Sequence, residues 1–424
     1  MSFPDRIKSR CESVGYYSLF IAAEAVLIAA FITLSLFTGG EAYNSLLQDP
    51  SSRFMDYSIH LGFASAPVGT NIYEFSNMAC FPPLSYLLYG FFARLGGYQA
   101  EYPRILVSRD AFIGNNLIIF LLYNFMCVLL LSYAVSLYIR KKGFVNQILF
   151  PAILIFSYPV AFSSVERGNS VFLVAPMIAI ALAWRDDVSK VKRELAMILI
   201  AVCAGFKLYP AVLGLLYLKE KRWKEALRLV VYGAVLVFGP FVFFGGLEGM
   251  KTFFRILFST FGEVHDFNIK GIVILLVKST FGRNTDLFAT IVQQLYLVFS
   301  LAAFFCARDK RSEVLILCCL MTLYVSSGWM YTCIYIIPAM LIFFSENEGR
   351  RIRFRLVDIP DNLAFAMFLA VFSRPALIGG NMFIYGVMCI IASLYNMVVI
   401  GAAVNRRFIR PYIEGKFAEK PVSE

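Results

Sequence analysis

Charge is scarce in this chain. Asp, Glu, Lys and Arg make up only 16% of the residues, against 59% hydrophobic. A soluble globular domain needs far more polar surface than that, so the composition points to a polytopic membrane protein. Histidine is scarcer still. His60 and His265 are the only two, and there is no HExxH pattern, which excludes a zinc site built on histidines. Nine cysteines occur, but none stands in a CxxC spacing, and only Cys80 falls in a long polar loop. No disulfide framework or zinc ribbon is expected. There is no DxD metal motif and no glycine-rich phosphate loop, so the usual cradles for a nucleotide sugar are missing. Neither a metal nor any other cofactor is expected.

Apolar runs of about 18 residues or more recur along most of the length, each long enough to cross a bilayer. The first, "YYSLFIAAEAVLIAAFITLSLF" (16–37), has no small-residue cleavage site before the next polar stretch and contains Glu24. It reads as a retained span rather than a signal peptide. The net charge of +11 is spread over short clusters between apolar runs, at 6–10, 140–142, 185–193, 219–224, 308–311, 350–355 and 406–420. That is the pattern of cytoplasmic loops, not of a nucleic-acid surface, and no nucleic-acid partner is expected. With all seven clusters inside, the spans between them come in pairs. They fall at roughly 16–38 and 111–139, 146–163 and 168–184, 194–206 and 207–218, 225–244 and 284–306, 312–327 and 329–345, and 360–376 and 382–402. The expected fold is therefore all-α and polytopic, with about twelve transmembrane helices, both termini cytoplasmic, in a plasma (inner) membrane. The pair at 194–218, broken at "FKLYP", reads either as two short spans or as a re-entrant pair. The apolar segment 82–95 is too short to cross and is expected to lie against the outer leaflet, inside a long external loop over 39–110. A second external loop covers 245–283. The expected organisation is a transmembrane module over 1–345, then a C-terminal helix pair and cytoplasmic tail over 346–424.

This topology, set by the basic clusters alone, gathers five polar patches on the outer face. They are Asp56 with His60 and Glu74; "SSVERGNS" (163–170); "FKLYP" (206–210); "EVHDFNIKG" (263–271); and "SSGWMYTCIY" (326–335). Convergent polar groups at one end of a helical bundle suggest a site there. The plainer reading, a solvated turn, suits Glu74, Arg53 and Lys251, and an aromatic belt accounts equally well for Trp329, Tyr331 and Tyr335. It suits Glu166, Arg167 and Asn169 less well, because charges flush against apolar helices are costly unless used or paired. Lys207, flanked by apolar runs, must snorkel or meet an anion. Asp56 and His60 stand four apart and share a helix face, but two ligands fall short of a tetrahedral metal site.

The order of these motifs resembles the integral-membrane glycosyltransferases of the C superfamily (GT-C), most closely the bacterial family-87, mannosyltransferase-like group that uses polyprenyl-phosphate sugars. The resemblance rests on an acid in the first external loop (Asp56), a proline-proline helix start "FPPL" (81–84) and a turn opening a span, "RGNSVFLVAP" (167–176). It continues through the break "FKLYP", the external stretch "HDFNIKG" (265–271) and the outer turn "SSGWMY". It runs over about residues 16–345, with departures at Phe81, Ile269, Lys270 and Tyr331.

What the resemblance implies is an inverting hexosyltransferase, with mannose favoured. The donor is a polyprenyl-phosphate sugar, and the acceptor is a lipid- or glycan-linked hydroxyl at the outer face of the membrane, among membrane lipids. Its needs fit the residues. Asp56 is the candidate base, with His60 beside it as a catalytic neighbour. Lys207, Arg167 and His265 are candidates for the donor phosphate. Glu166, Asn169, Tyr209, Asp266, Asn268, Trp329 and Tyr331 are candidates for sugar and acceptor. Two other readings stay open at this point: a polysaccharide polymerase or ligase, which would use external arginines such as Arg104, Arg109 and Arg167, and a lipid-linked glycan flippase or transporter.

Overall fold

The structure is a computed structural model that describes residues 15–41, 54–97, 109–139, 143–260, 268–281, 286–325, 330–372, 381–409 and 412. Among them there is no β-strand, only a single antiparallel bridge between Gly15 and Arg351. Among the described residues five helical segments are long and apolar enough to cross a bilayer: Tyr16–Phe37, Leu117–Tyr138, Trp223–Phe243, Asp286–Cys306 and Phe383–Ile409. They sit at the periphery and leave large apolar side chains exposed, such as Leu36, Leu121, Val230, Leu295 and Ile390. For a chain with so little charge, that surface suits hydrocarbon rather than water.

The shorter helices Val171–Trp184, Lys310–Leu323 and Ile337–Glu346 are almost wholly buried. Beyond the charged first turn of Lys310–Leu323 and the terminal Glu346 they are apolar all round, the pattern of a helix surrounded by other helices. One expected span differs. Over 146–163 the chain forms the helix Phe150–Phe156, then breaks at Ser157, which is extended (ψ 156), before a short turn at Tyr158–Val160. Pro159 explains the break: it has no N–H to donate, and its ring collides with the carbonyl four residues back.

The polar ends of the helices sort into two groups. At one end, Arg185 pairs with Glu220, and Asp186 pairs with both Arg222 (2.9 Å) and Lys310 (2.7 Å). Lys219 pairs with Glu313 (2.8 Å) and Arg311 with Asp361 (2.6 Å). Three of the basic clusters thus meet in one network. Lys207 lies at the other end of the helix Lys190–Phe206, which, at 17 residues, is roughly 26 Å long. The chain then returns through a 3₁₀ turn, Tyr209–Gly214, and the helix Leu215–Lys219 to the network. The segment 194–218 therefore runs out from one end and back to it. The helix Pro83–Leu95 has 13 residues, roughly 20 Å, short of the ~30 Å hydrocarbon core. It packs on Met55–Ala64, Lys190–Phe206 and Trp223–Phe238. The C-terminal helices Ile359–Phe372 and Asn381–Val404 pack on Tyr16–Phe37 and Asp286–Cys306 respectively.

Candidate active site

Three stretches far apart in sequence meet at the end opposite the basic network. The first is the helix Met55–Ala64, with Asp56 in its first turn, where the N-terminal end of a helix favours negative charge. The second is the turn before Val171–Trp184. Its Arg167 grips Asp56 with both arms of the guanidinium: Nε to Oδ2 at 3.0 Å and Nη2 to Oδ1 at 2.6 Å. Asn169 adds a bond from Nδ2 to Oδ2 at 2.7 Å, while its own Oδ1 accepts the Val171 N–H (3.1 Å). The backbone ties the two elements together, since the Tyr57 N–H donates to the Arg167 carbonyl (2.9 Å).

Gly168 makes that approach possible. Its φ is +66°, and a β-carbon there would lie 2.6 Å from the Tyr57 Cβ and 2.7 Å from the Phe120 ring. No L side chain fits such a turn without displacing the helix. Tyr89 closes it from the other side with a bond to the Gly168 carbonyl (3.2 Å).

The third stretch is "FKLYP". Ser85 Oγ donates to the Phe206 carbonyl (2.8 Å), and Leu84 packs where a β-carbon on Gly205 would stand. The two proline-marked motifs are thereby fastened to each other. As a result the Lys207 ammonium lies 3.1 Å from the centroid of the Phe81 ring, a cation–π contact strengthened by burial. Lys207 is 5% exposed and makes no ion pair among the described residues. His60 stacks on the other partner surfaces of the same cluster. Its ring centroid is 3.7 Å from Phe81 and 5.6 Å from Tyr89, and Nδ1 is 3.4 Å from the Tyr86 hydroxyl.

The electrostatics follow from this packing. Burial alone would lift the Asp56 carboxyl, but the Arg167 guanidinium and the hydrogen bonds from Arg167 and Asn169 overcome it and hold the group below the usual carboxylate range. Burial lowers His60 to about 3; the Asp56 carboxylate opposes this and the Lys207 and Arg167 cations add to it. His60 is therefore a neutral aromatic side chain at physiological pH. Burial likewise lowers Lys207 to about 8, against the pull of Cys80 and Asp56. The Asp56 carboxylate has roughly four lone-pair sites, and three are taken by Arg167 and Asn169. One, on Oδ1, remains for a hydroxyl proton.

The other sequence candidates distribute as follows. Tyr331 is buried and in electrostatic contact with Asp56, Tyr209 and Arg167. Tyr209 follows Lys207 and meets Tyr335 edge-on at 5.4 Å. Glu166 is half-buried beside Arg167. Asn268 accepts the Gly271 N–H (2.7 Å) at the start of the helix Ile269–Phe281 and donates to the Val325 carbonyl (3.3 Å). His265, Asp266 and Trp329 lie outside the described residues. Sequence reading missed Tyr86 and Tyr89. It noted Phe81 only as a departure from a pattern, although Phe81 carries both Lys207 and His60. The eight described cysteines are all free, and no group of three His, Cys, Asp or Glu among the described residues could hold a metal.

An all-helical bundle with long apolar helices at its periphery and a carboxylate, a guanidinium and an ammonium drawn together at one end is, among the described residues, the framework of an integral membrane protein with a buried polar cluster. The family model of glycosyltransferase family 87 matches residues 80–327, more than half of the chain, and the chain belongs to that family of GT-C-like membrane glycosyltransferases. The match takes in Arg167, Asn169, Lys207 and Tyr209; Asp56 and His60 precede it and join the site through the contacts above. No curated protein and no solved structure matches the chain.

Proposed function

We propose that this glycosyltransferase moves a hexose, with mannose favoured, from a polyprenyl-phosphate donor to a lipid- or glycan-linked hydroxyl, inverting the anomeric centre, with Asp56 as general base. The observation that carries the reading is the Asp56 carboxylate, held ionised by Arg167 and Asn169 with one lone pair open. In the transfer, the acceptor oxygen attacks the anomeric carbon from the face opposite the phosphate. The sugar–oxygen bond breaks with its electron pair going to the lipid phosphate, and the acceptor proton passes to Asp56. The donor phosphodiester carries one negative charge and the departing monoester gains a second. A cation beside it therefore binds the transition state more tightly than the ground state. Lys207, buried and without a carboxylate partner among the described residues, suits that task. Arg167 serves the phosphate only by sharing its guanidinium with Asp56. Tyr209, Tyr331, Asn169 and Glu166 are left for sugar and acceptor hydroxyls.

In this reading the basic network is cytoplasmic, both termini are inside, the spans number about twelve, and the Asp56 end opens at the outer face of the plasma membrane. Residues 1–345 form the catalytic module, and the remainder supplies two further spans and a tail. Sidedness is tested with single-cysteine reporters at the exposed positions Val188 and Val68 and an impermeant thiol reagent on intact cells. Labelling at 68 but not 188 is expected; the reverse pattern overturns the orientation. The reaction is tested by transfer from a panel of polyprenyl-phosphate hexoses to membrane lipids and glycans. Transfer from a nucleotide sugar but from no lipid-linked sugar overturns it.

A further inference from the structure

An open cavity of about 660 Å³ lies at the end of the bundle opposite Asp56, and four arginines line it: Arg350, Arg351, Arg353 and Arg355. The carboxylates at its rim are already used. Asp358 pairs with Arg355 (2.9 Å) and Asp361 with Arg311 (2.6 Å). Among the described residues Arg350, Arg351 and Arg353 make no ion pair. Their backbone is nonetheless fixed. Arg351 bridges to Gly15, the Arg353 carbonyl accepts from Asn362 Nδ2 (2.8 Å), and Asn362 Oδ1 accepts from the Tyr16 hydroxyl (2.8 Å). This is an ordered basic cavity with unspent positive charge.

Its surroundings identify the occupant. Tyr16 opens the first candidate span, and the helix Ile359–Phe372 begins just after the arginines. The cavity therefore sits at the level where membrane helices emerge from hydrocarbon. Between and beyond the arginines, Phe354, Leu356 and Val357 are 53%, 86% and 76% exposed. Arginines alternating with exposed apolar side chains at a span terminus fit a lipid with an anionic head and acyl chains. They do not fit a fully hydrated anion, which has no use for the apolar fringe.

We propose that this cavity is a binding site for the phosphate headgroup of an anionic phospholipid. Arg350, Arg351 and Arg353 contact the phosphate, and Phe354, Leu356 and Val357 lie among the acyl chains. It is separate from the donor site, because Lys207 and Asp56 are at the opposite helix ends.

The test uses the full-length protein in detergent, with bound lipid read by native mass spectrometry and thermal stability read in parallel. The probes are phosphatidylglycerol, phosphatidylcholine and inorganic phosphate. Wild type is expected to retain phosphatidylglycerol and be stabilised by it, with little effect of phosphatidylcholine or phosphate. The triple variant Arg350→Gln, Arg351→Gln, Arg353→Gln removes three lipid-facing cations and should bind phosphatidylglycerol roughly a hundredfold more weakly. A control variant, Arg94→Gln, Arg255→Gln, Lys278→Gln, removes the same charge from exposed positions elsewhere and should bind like wild type. If the triple variant does not fold, Arg351→Gln alone should still weaken retention severalfold. Equal retention of the two lipids by wild type, or equal loss in the control, overturns the proposal. Stabilisation by inorganic phosphate as large as by phosphatidylglycerol overturns the lipid assignment in favour of a free-anion site.

Discussion

On sequence alone Asp56→Asn looks structurally silent, a loss of basicity with size and polarity kept. The ion pair changes that expectation. The Asp56 and Arg167 side chains are 14% and 10% exposed, and an asparagine in either orientation would turn its amide N–H₂ toward at least one donor of the Arg167 guanidinium. Removing one partner of a buried pair typically costs about 3–5 kcal/mol. The remaining exposure puts this pair at the lower end, about 3 kcal/mol. Loss of a general base lowers turnover by about 10²–10⁴, so the single variant mixes two effects. The double variant Asp56→Asn, Arg167→Gln separates them. With both charges gone, stability should return to within about 1 kcal/mol of wild type, so the two single losses, about 3 kcal/mol each, should be far from additive. Transfer should stay at the level of the single variant, because no carboxylate has been restored. The measurements are thermal unfolding in detergent and turnover with a polyprenyl-phosphate mannose donor for all four proteins. A folded double variant that transfers within tenfold of wild type would remove Asp56 from the chemistry and make Glu166 the next acid to test.

Lys207 predicts an alkaline limb. With the ammonium lowered to about 8, kcat/KM for the donor should fall as pH rises through that value, and Lys207→Arg, whose cation does not titrate, should flatten the fall. Stability should move the other way. Between about 8 and the ordinary lysine value of 10.5 the unfolded chain holds the extra proton, so stability rises with pH there, and an activity loss caused by unfolding would give the opposite melting trend. His60 is expected to act through packing: His60→Phe should fold and retain turnover within a few-fold, whereas His60→Ala should lose about 2–4 kcal/mol in thermal unfolding. Because His60 is lowered from 6.5 to about 3, stability in wild type should decline as pH falls from about 6.5 toward 3, by up to about 1.4 kcal/mol per unit, and His60→Phe should lose that part of the acid slope. Gly168→Ala, forced into φ +66° with its new carbon 2.6 Å from Tyr57, should cost more than about 2 kcal/mol in thermal unfolding and abolish transfer; a normal melt would mean that the turn is not built as described.

The elements that sequence conveys best are those governed by composition along one helix. Asp286–Cys306 and Trp223–Phe243 lie close to where their apolar runs begin and end. Pairwise chemistry across the bundle is less visible. Arg167 and Lys207 read as equivalent cations for one phosphate, yet Arg167 is engaged by Asp56 while Lys207 faces an aromatic ring. Nothing in a single sequence records which turn stands opposite which helix, and 111 residues separate Asp56 from Arg167. His60 illustrates the same limit. Its spacing from Asp56 suggested an acid–imidazole couple, and the spacing is correct, but the rings of Phe81 and Tyr89 come from the helix Pro83–Leu95 and its approach and decide that the imidazole stays neutral. The break at Ser157 was legible in principle from Pro159 and was masked by the unbroken apolar run around it.

A bundle with so apolar a core can hold charge cheaply only at helix ends, and this chain uses both. The helices Val171–Trp184 and Lys190–Phe206 run antiparallel through the interior, with buried apolar stretches between their termini. At one end, carboxylates nearly match the cations of the Arg185, Asp186, Arg222 and Lys310 network, which makes that end a structural fastening. At the other, the Asp56 and Glu166 carboxylates stand beside Arg167, while Lys207 faces an aromatic ring and makes no ion pair among the described residues. That leaves the Lys207 ammonium without a salt-bridge partner among the described residues, inside a cluster of aromatic rings where each Coulomb interaction is worth several times its value in water. A buried ammonium without a salt bridge is costly to keep charged and is complementary to an anionic donor. The two ends therefore differ in how their cations are paired, and that difference follows from where Asp56, Arg167 and Lys207 sit on their helices.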